Sequence, residues 1–300
     1  MSHAIQAHTM QMPLTQAIAM GILQGLAEFA PISSSAHLIL VPWLIHPLVS
    51  AKGWVEDPGQ SFDAALHLGT ALALILYFRS EWVSLVEAWW GSLSGAQTWE
   101  NPKARLAWLI IIATIPGAIF GKLMEKRLSA LFDPGTHSWA PAAIGGVLAA
   151  AGLVLWAADR TGRKDRSMER VSRLDALIIG LSQAMALFPG VSRSGATITA
   201  GLSLGLNREA ATRFSFLMAT PITLGAGLLK LIELRHSTEA HPQASALIAG
   251  VLTSAVVGYI VIRWVLGYVQ RQNMNLFVVY RVIAGAFIIA IWFARTHAGG

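Results

Sequence analysis

Apolar residues in this 300-residue chain gather into long blocks rather than alternating with polar ones. Six blocks, 62–78, 106–121, 139–158, 210–231, 244–266 and 276–294, approach the length of about 20 residues that a bilayer-crossing helix needs. Four further blocks are equally apolar but short. Blocks 14–30 and 35–45 flank the polar stretch ISSSAH at 32–37, and blocks 174–188 and 194–206 flank PGVSRSG at 189–195. Irregular backbone at membrane depth survives only where protein or a water-filled cavity satisfies its N–H and C=O groups. The short blocks therefore predict two re-entrant hairpins whose tips line a polar cavity. For the first, a single helix kinked at Pro31 is the competing reading.

Basic residues set the orientation. The densest cluster is DRTGRKDRSMERVSR at 159–173, and lysine and arginine collect in cytoplasmic loops. With that loop inside, the chain before Phe62 and the loop near 122–138 fall outside, while 79–105 is a cytoplasmic loop. Lys122, Lys126 and Arg127 argue the other way but are outnumbered. Each hairpin is followed by three spans, and the two hairpins enter from opposite sides. The expected fold is an all-α polytopic membrane protein of six transmembrane helices and two re-entrant pairs in an inverted-topology repeat. It is one domain, 1–300, with halves of about 1–158 and 174–300 joined by the basic loop 159–173. GLAEFAPISSSAH from Gly25 and GLSQAMALFPGVSRSGAT from Gly180 give the repeat faint support in sequence.

Composition agrees. Of all residues 54% are apolar and 13% charged, with a mean hydropathy of +0.55, against about 25% charged in soluble domains. The net charge of +6 is assigned to topology, so no nucleic-acid partner is expected. The absence of cysteine excludes disulfides, thiolate nucleophiles and cysteine metal sites. The first eleven residues carry no lysine or arginine, and no cleavable secretory signal is expected.

The chemistry-bearing residues lie at the two breaks. Gln24 and Glu28, four apart, share a helix face, and an intramembrane carboxylate points to function. Ser34 and His37 follow the first break three apart, a hydroxyl and an imidazole suited to nucleophile activation or proton transfer. At the second break Gly190 permits a tight turn, Ser192 and Ser194 offer hydroxyls, and the next helix presents its N-terminus. Arg193 brings a planar fork that matches phosphate oxygens, and Thr197 adds a hydroxyl. These groups predict an anion site. A structural ion pair between Arg193 and Glu28 is the alternative use of the arginine.

QGLAE, the SSAH of PISSSAH, and PGVSRSGAT together resemble the motifs of the undecaprenyl-diphosphate phosphatases, the bacitracin-resistance type of membrane phosphatase. FDAALHLGT and FSFLMATPITLGAG extend the resemblance over nearly the whole chain. Gln24 stands where many members have glutamate, leaving one carboxylate in the first motif, and SSSAH replaces a commoner Ser-Ser-Thr-Gly-His. A second class of lipid phosphatase would need histidine five residues after the arginine, where this chain has Ile198.

The resemblance implies a multi-pass bacterial inner-membrane enzyme that removes the terminal phosphate of undecaprenyl diphosphate in a pocket open to the periplasm. The product lipid would then serve again in peptidoglycan synthesis. It implies a divalent cation, for which the chemistry of Glu28 and phosphate oxygens suggests a hard ion, Mg2+ or Ca2+, held by Glu28. Glu28, Ser34, His37 and Arg193 are the expected catalytic residues. Ser33, Ser192, Arg193, Ser194 and Thr197 are expected to bind phosphate, with Gln24, Pro189 and Gly190 supporting the motifs. Attack by Ser34, with Glu28 or His37 taking its proton, and direct attack by water both fit the sequence. A polyprenyl diphosphate and the membrane are the expected partners, and a homodimer is the assembly allowed for. The alternative function is a lipid-phosphate transporter or flippase on the same scaffold.

Overall fold

The computed structural model describes residues 9–50, 53–55, 58–94, 99–234 and 241–297. Residues 1–8 and 298–300, where the expectations for the leader and both termini fall, lie outside them. Apart from a two-residue parallel pairing of Thr9–Met10 with His241–Pro242, the described elements are helices. They are α1 (Leu14–Phe29), α2 (Ser34–Val49), α3 (Gln60–Tyr77), α4 (Arg79–Leu93), α5 (Pro102–Leu131) and α6 (Ala140–Thr161), then α7 (Arg173–Ser182), α8 (Arg193–Ser203), α9 (Arg208–Leu234), α10 (Ala244–Val269) and α11 (Asn275–His297).

Among the described residues four helices, α5, α6, α10 and α11, are long and apolar enough to cross a bilayer. Treating α3 and α4 as one bent span makes five, where the sequence predicts six. The two expected segments outside these four are both helical. The segment 62–78 is α3, which turns by 80° into α4. The segment 210–231 falls in the 27-residue α9, which also carries Arg213, Ser215, Thr220 and Thr223. The last three of these are buried. The expected cytoplasmic loop 79–105 contains α4, a correction with a plain cause. Trp82, Leu85 and Trp89 recur at helical spacing and pack into the main apolar core, a period that a search for long apolar blocks passes over.

Backbone contact between glycine-bearing helices sets the frame. A Cβ on Gly25 would lie 2.9 Å from the Gly258 amide nitrogen of α10, and one on Gly285 of α11 would lie 2.4 Å from the Gly145 carbonyl of α6. Only a residue without Cβ permits such approach. At one end of the bundle the Met12 N–H donates to Gln243 Oε1, and Gln16 reaches the Val55 carbonyl. There too Trp292 reaches Ser138, and Arg295 reaches the carbonyls of Trp43 and Leu44 near the end of α2. At the other end buried Asp159 of α6 accepts from Arg208 Nε at 2.6 Å and from the Met274 N–H at 3.0 Å, while Arg166 pairs with Asp175 and bonds the Leu204 carbonyl after α8. Thus α1 begins and α2 ends at the first end, whereas α7 begins and α8 ends at the second.

Both breaks are real interruptions. Residues Ala30–Ser33 and Phe188–Ser192 leave α-helical geometry, so the first is four residues wide and not a kink at Pro31. Block 174–188 resolves into α7 followed by a 3-10 turn, Gln183–Leu187.

Candidate active site

Each break ends on a serine held at positive φ, Ser33 at 76° and Ser192 at 72°. Each caps the next helix: Ser33 Oγ accepts from the Ala36 N–H, and Ser192 Oγ from the Gly195 N–H. In both, the cap hydroxyl also sits beside that of the serine two residues on, 3.2 Å to Ser35 and 3.1 Å to Ser194. The two Ser-x-Ser motifs are therefore the same local structure built twice. The residues enclosed, Ser34 and Arg193, are the first residues of α2 and α8. Both reach one acceptor, Glu28.

Glu28, next to last in α1, is 8% exposed and collects polar groups from four elements. Ser34 Oγ donates to its Oε2 at 2.7 Å, Gln24 Nε2 donates to the same oxygen at 3.1 Å, and the Arg193 guanidinium pairs with Oε1. From α3, His67 Nε2 stands 3.8 Å from Oε2. The N–H groups of Ser34 and Arg193 precede the first intrahelical bonds, His37 N–H to the Ser33 carbonyl and Ala196 N–H to the Ser192 carbonyl. The side chains that open two helices thus converge on one carboxylate.

The breaks touch. Ser33 Oγ accepts the Gly190 N–H at 3.2 Å, and Ser194 Oγ donates to the Glu28 carbonyl at 3.2 Å. Gly190 has a φ of 106°, and a Cβ there would meet the Ile144 carbonyl of α6 at 2.9 Å, so both its conformation and its position exclude a side chain. Pro189 precedes it in the turn. Behind the contact lies Arg281 of α11, which is fully buried. Its Nη1 donates to the Pro31 carbonyl at 2.9 Å, its Nη2 to Gly190 and Val191 at 2.8 and 3.0 Å, and its Nε to Leu148 at 3.1 Å. One guanidinium satisfies carbonyls that both breaks leave outside helices.

Thus the structure brings together Gln24, Glu28, Ser34 and Arg193, with Ser33, Ser192 and Ser194 shaping the two turns. Two expected site residues are turned elsewhere. Thr197, fully buried, bonds its own helix and the Ser215 hydroxyl of α9 at 2.7 Å, which ties α8 to α9. His37 Nδ1 lies 2.7 Å from the Ser33 carbonyl and its Nε2 2.6 Å from the Tyr280 hydroxyl, so its ring bonds the turn and α11 rather than Ser34. Sequence reading passed over Arg281, His67 and Tyr280, which lie in apolar helices far from either motif. A charged or polar residue inside an apolar run was the available signal.

The residues carrying this geometry fall within a match to the family model described as bacitracin resistance protein BacA, which covers residues 17–287. The chain belongs to this family. Among similar proteins, one of *Moorella thermoacetica* named undecaprenyl-diphosphatase is 48% identical over 284 residues, 95% of this chain and all of that protein. Another of the same name from *Geobacter sulfurreducens* is 47% identical over 286 residues, 95% of this chain and all of the relative. A third, from *Pelotomaculum thermopropionicum*, is 44% identical over 284 residues, 95% of this chain and 98% of the relative. Membership of the BacA family covers both helix breaks, Glu28 and Arg281 alike.

Among the described residues no three His, Asp or Glu side chains group as a self-sufficient metal cage. The donors around Glu28 nevertheless suit a cation shared with a phosphate substrate. Gln24 Oε1 is buried with no hydrogen-bond partner, a spare acceptor on a residue already bonded to the carboxylate. A single carboxylate with neutral oxygens matches cations that take their remaining ligands from substrate and water.

Proposed function

We propose that this chain hydrolyses undecaprenyl diphosphate to undecaprenyl phosphate and inorganic phosphate, returning the lipid carrier to cell-wall synthesis. Membership of the family and close relatives named for this activity support the reaction. The observation that carries the site is the meeting of Ser34 and Arg193 on Glu28 between two helix N-termini.

Arg193 releases Glu28 to the incoming diphosphate and grips the terminal phosphate through its fork, joined by the N–H groups that open α2 and α8. Ser34 attacks the terminal phosphorus as its proton passes to Glu28 Oε2, to which it already donates at 2.7 Å. The new Ser34 Oγ–P bond replaces the bridging P–O bond, and undecaprenyl phosphate departs. Glu28 passes this proton to the departing phosphate, then takes one from the water that attacks the phosphoserine and returns it to Ser34 Oγ as the Oγ–P bond breaks, releasing inorganic phosphate. Glu28 and the Gln24 carbonyl would hold the divalent cation, which when bound offsets the negative charge of the diphosphate. Charge on the transferred group is met by Arg193, once freed from Glu28, and by the two helix ends.

The same proposal covers the membrane arrangement. Helices α1–α2 and α7–α8 are read as re-entrant pairs within an inverted repeat. Their start and end contacts at opposite ends of the bundle and the duplicated serine turns support this. With loop 159–173 in the cytoplasm of a bacterial inner membrane, the end bearing Trp43 and Ser138 faces the periplasm, and the site opens that way.

The deciding experiment is phosphate release from a polyprenyl diphosphate by purified protein, with and without divalent cation. Release that requires the cation is expected. No release, together with transfer of the lipid between leaflets, would make the protein a carrier.

A further inference from the structure

His67 lies in FDAALHLGT, outside both helix breaks. Its Nδ1 lies 2.8 Å from the Asp63 carbonyl one turn back in α3. A carbonyl only accepts, so Nδ1 carries the hydrogen, and in the neutral ring the Nε2 lone pair faces Glu28. The 3.8 Å between Nε2 and Oε2 is too long for a hydrogen bond. Two electron-rich atoms facing each other without a shared hydrogen repel, unless a positive species joins them. Donors each about 2.0–2.6 Å from one cation can stand that far apart. An imidazole anchored by Nδ1–H to a carbonyl with Nε2 presented outward is also the usual arrangement of a metal-binding histidine. Its side chain is 32% exposed against 6% for Glu28, so it stands on the open side of the carboxylate.

We infer that His67 Nε2 is a ligand of the divalent cation at Glu28, completing with the Gln24 amide oxygen a mixed nitrogen–oxygen site. The inference rests on the cation reading above and makes it specific. An imidazole nitrogen adds less to the binding of Ca2+ or Mg2+ than to that of a first-row transition ion, so Mn2+ is expected to gain more from His67 than Ca2+ does.

The test uses full-length, chelator-stripped protein in detergent with Mn2+ as probe. Pulsed electron paramagnetic resonance of the bound ion should show directly coordinated 14N, and His67→Gln, which offers oxygen but no imidazole, should abolish it. His67→Gln should also weaken Mn2+ binding about tenfold or more, with Ca2+ binding changed less than about twofold. Unchanged gel-filtration and thermal profiles would establish that the variant is folded. If Mn2+ binds in a Glu28-dependent way without 14N coupling, or the coupling persists in His67→Gln, the inference is overturned while the cation reading stands. If Mn2+ binding does not depend on Glu28, that reading fails and the inference with it.

Discussion

Arg193 and Glu28 lie 165 residues apart in sequence and are joined in one ion pair across the two helix breaks. Lysine at 193 keeps the charge and loses the fork. If the arginine serves the transferred phosphoryl group, Arg193→Lys should lower kcat by about a hundredfold or more, comparable to removing an oxyanion donor, with a smaller effect on KM. Steady-state kinetics at matched cation concentration check this. A kcat within a few fold of wild type and a lowered thermal midpoint would make the pair purely structural.

Glu28→Gln keeps the size of the side chain and removes its charge. Turnover should be lost at every cation concentration, while the protein stays folded because the Arg193 side chain it leaves is 22% exposed to solvent. Phosphate release and melting curves measured side by side test both halves. Near-normal turnover at saturating cation would exclude Glu28 as ligand and as proton acceptor.

Ser34→Ala separates attack by serine from attack by water. The serine route predicts a loss of at least about a thousandfold and, in wild type, a phosphoserine at 34 after rapid acid quench. Appreciable turnover in the alanine variant would assign the attack to water.

Arg281→Met removes a buried cation and strands the carbonyls of Pro31, Leu148, Gly190 and Val191. Stranded buried acceptors cost about 1–3 kcal/mol each where water cannot reach them, so a large fall in thermal midpoint is expected. Arg281→Lys should recover only part of it, since one ammonium cannot reach all four. A midpoint unchanged in both variants would mean that water replaces the guanidinium without loss.

Orientation is open to labelling because the chain has no cysteine of its own. Leu48, 79% exposed after the last turn but one of α2, and Asp165, exposed in the basic loop, are suitable sites. In intact cells an impermeant thiol reagent should reach Leu48→Cys and not Asp165→Cys. The reverse pattern would invert the proposed topology.

The positions of the breaks, and of Glu28, Ser34 and Arg193, were legible because proline, glycine and serine interrupt runs that would otherwise be continuous helix. What escaped was what those breaks require from elsewhere. Thr197 lies within the specific motif and still faces α9, because motif membership does not say which side of α8 a residue occupies. His37 turns to Tyr280 because the Ser33 carbonyl fixes its ring, a local bond that spacing alone does not reveal. Arg281 and His67 entered through tertiary packing, and α4 through an amphipathic period that block length conceals.

The clamp made by Arg281 has a consequence for the order of synthesis. It lies 250 residues beyond Pro31, whose carbonyl it will hold. At about 5–20 residues per second, roughly 12–50 s of translation separate the two. Both motifs are complete in the nascent chain well before α11 emerges, so a ribosome-bound fragment carries every proposed catalytic group without the brace that sets their spacing. During that interval the carbonyls of Pro31, Leu148, Gly190 and Val191 lack their guanidinium partner, and activity is expected to begin only when the last helix joins the others.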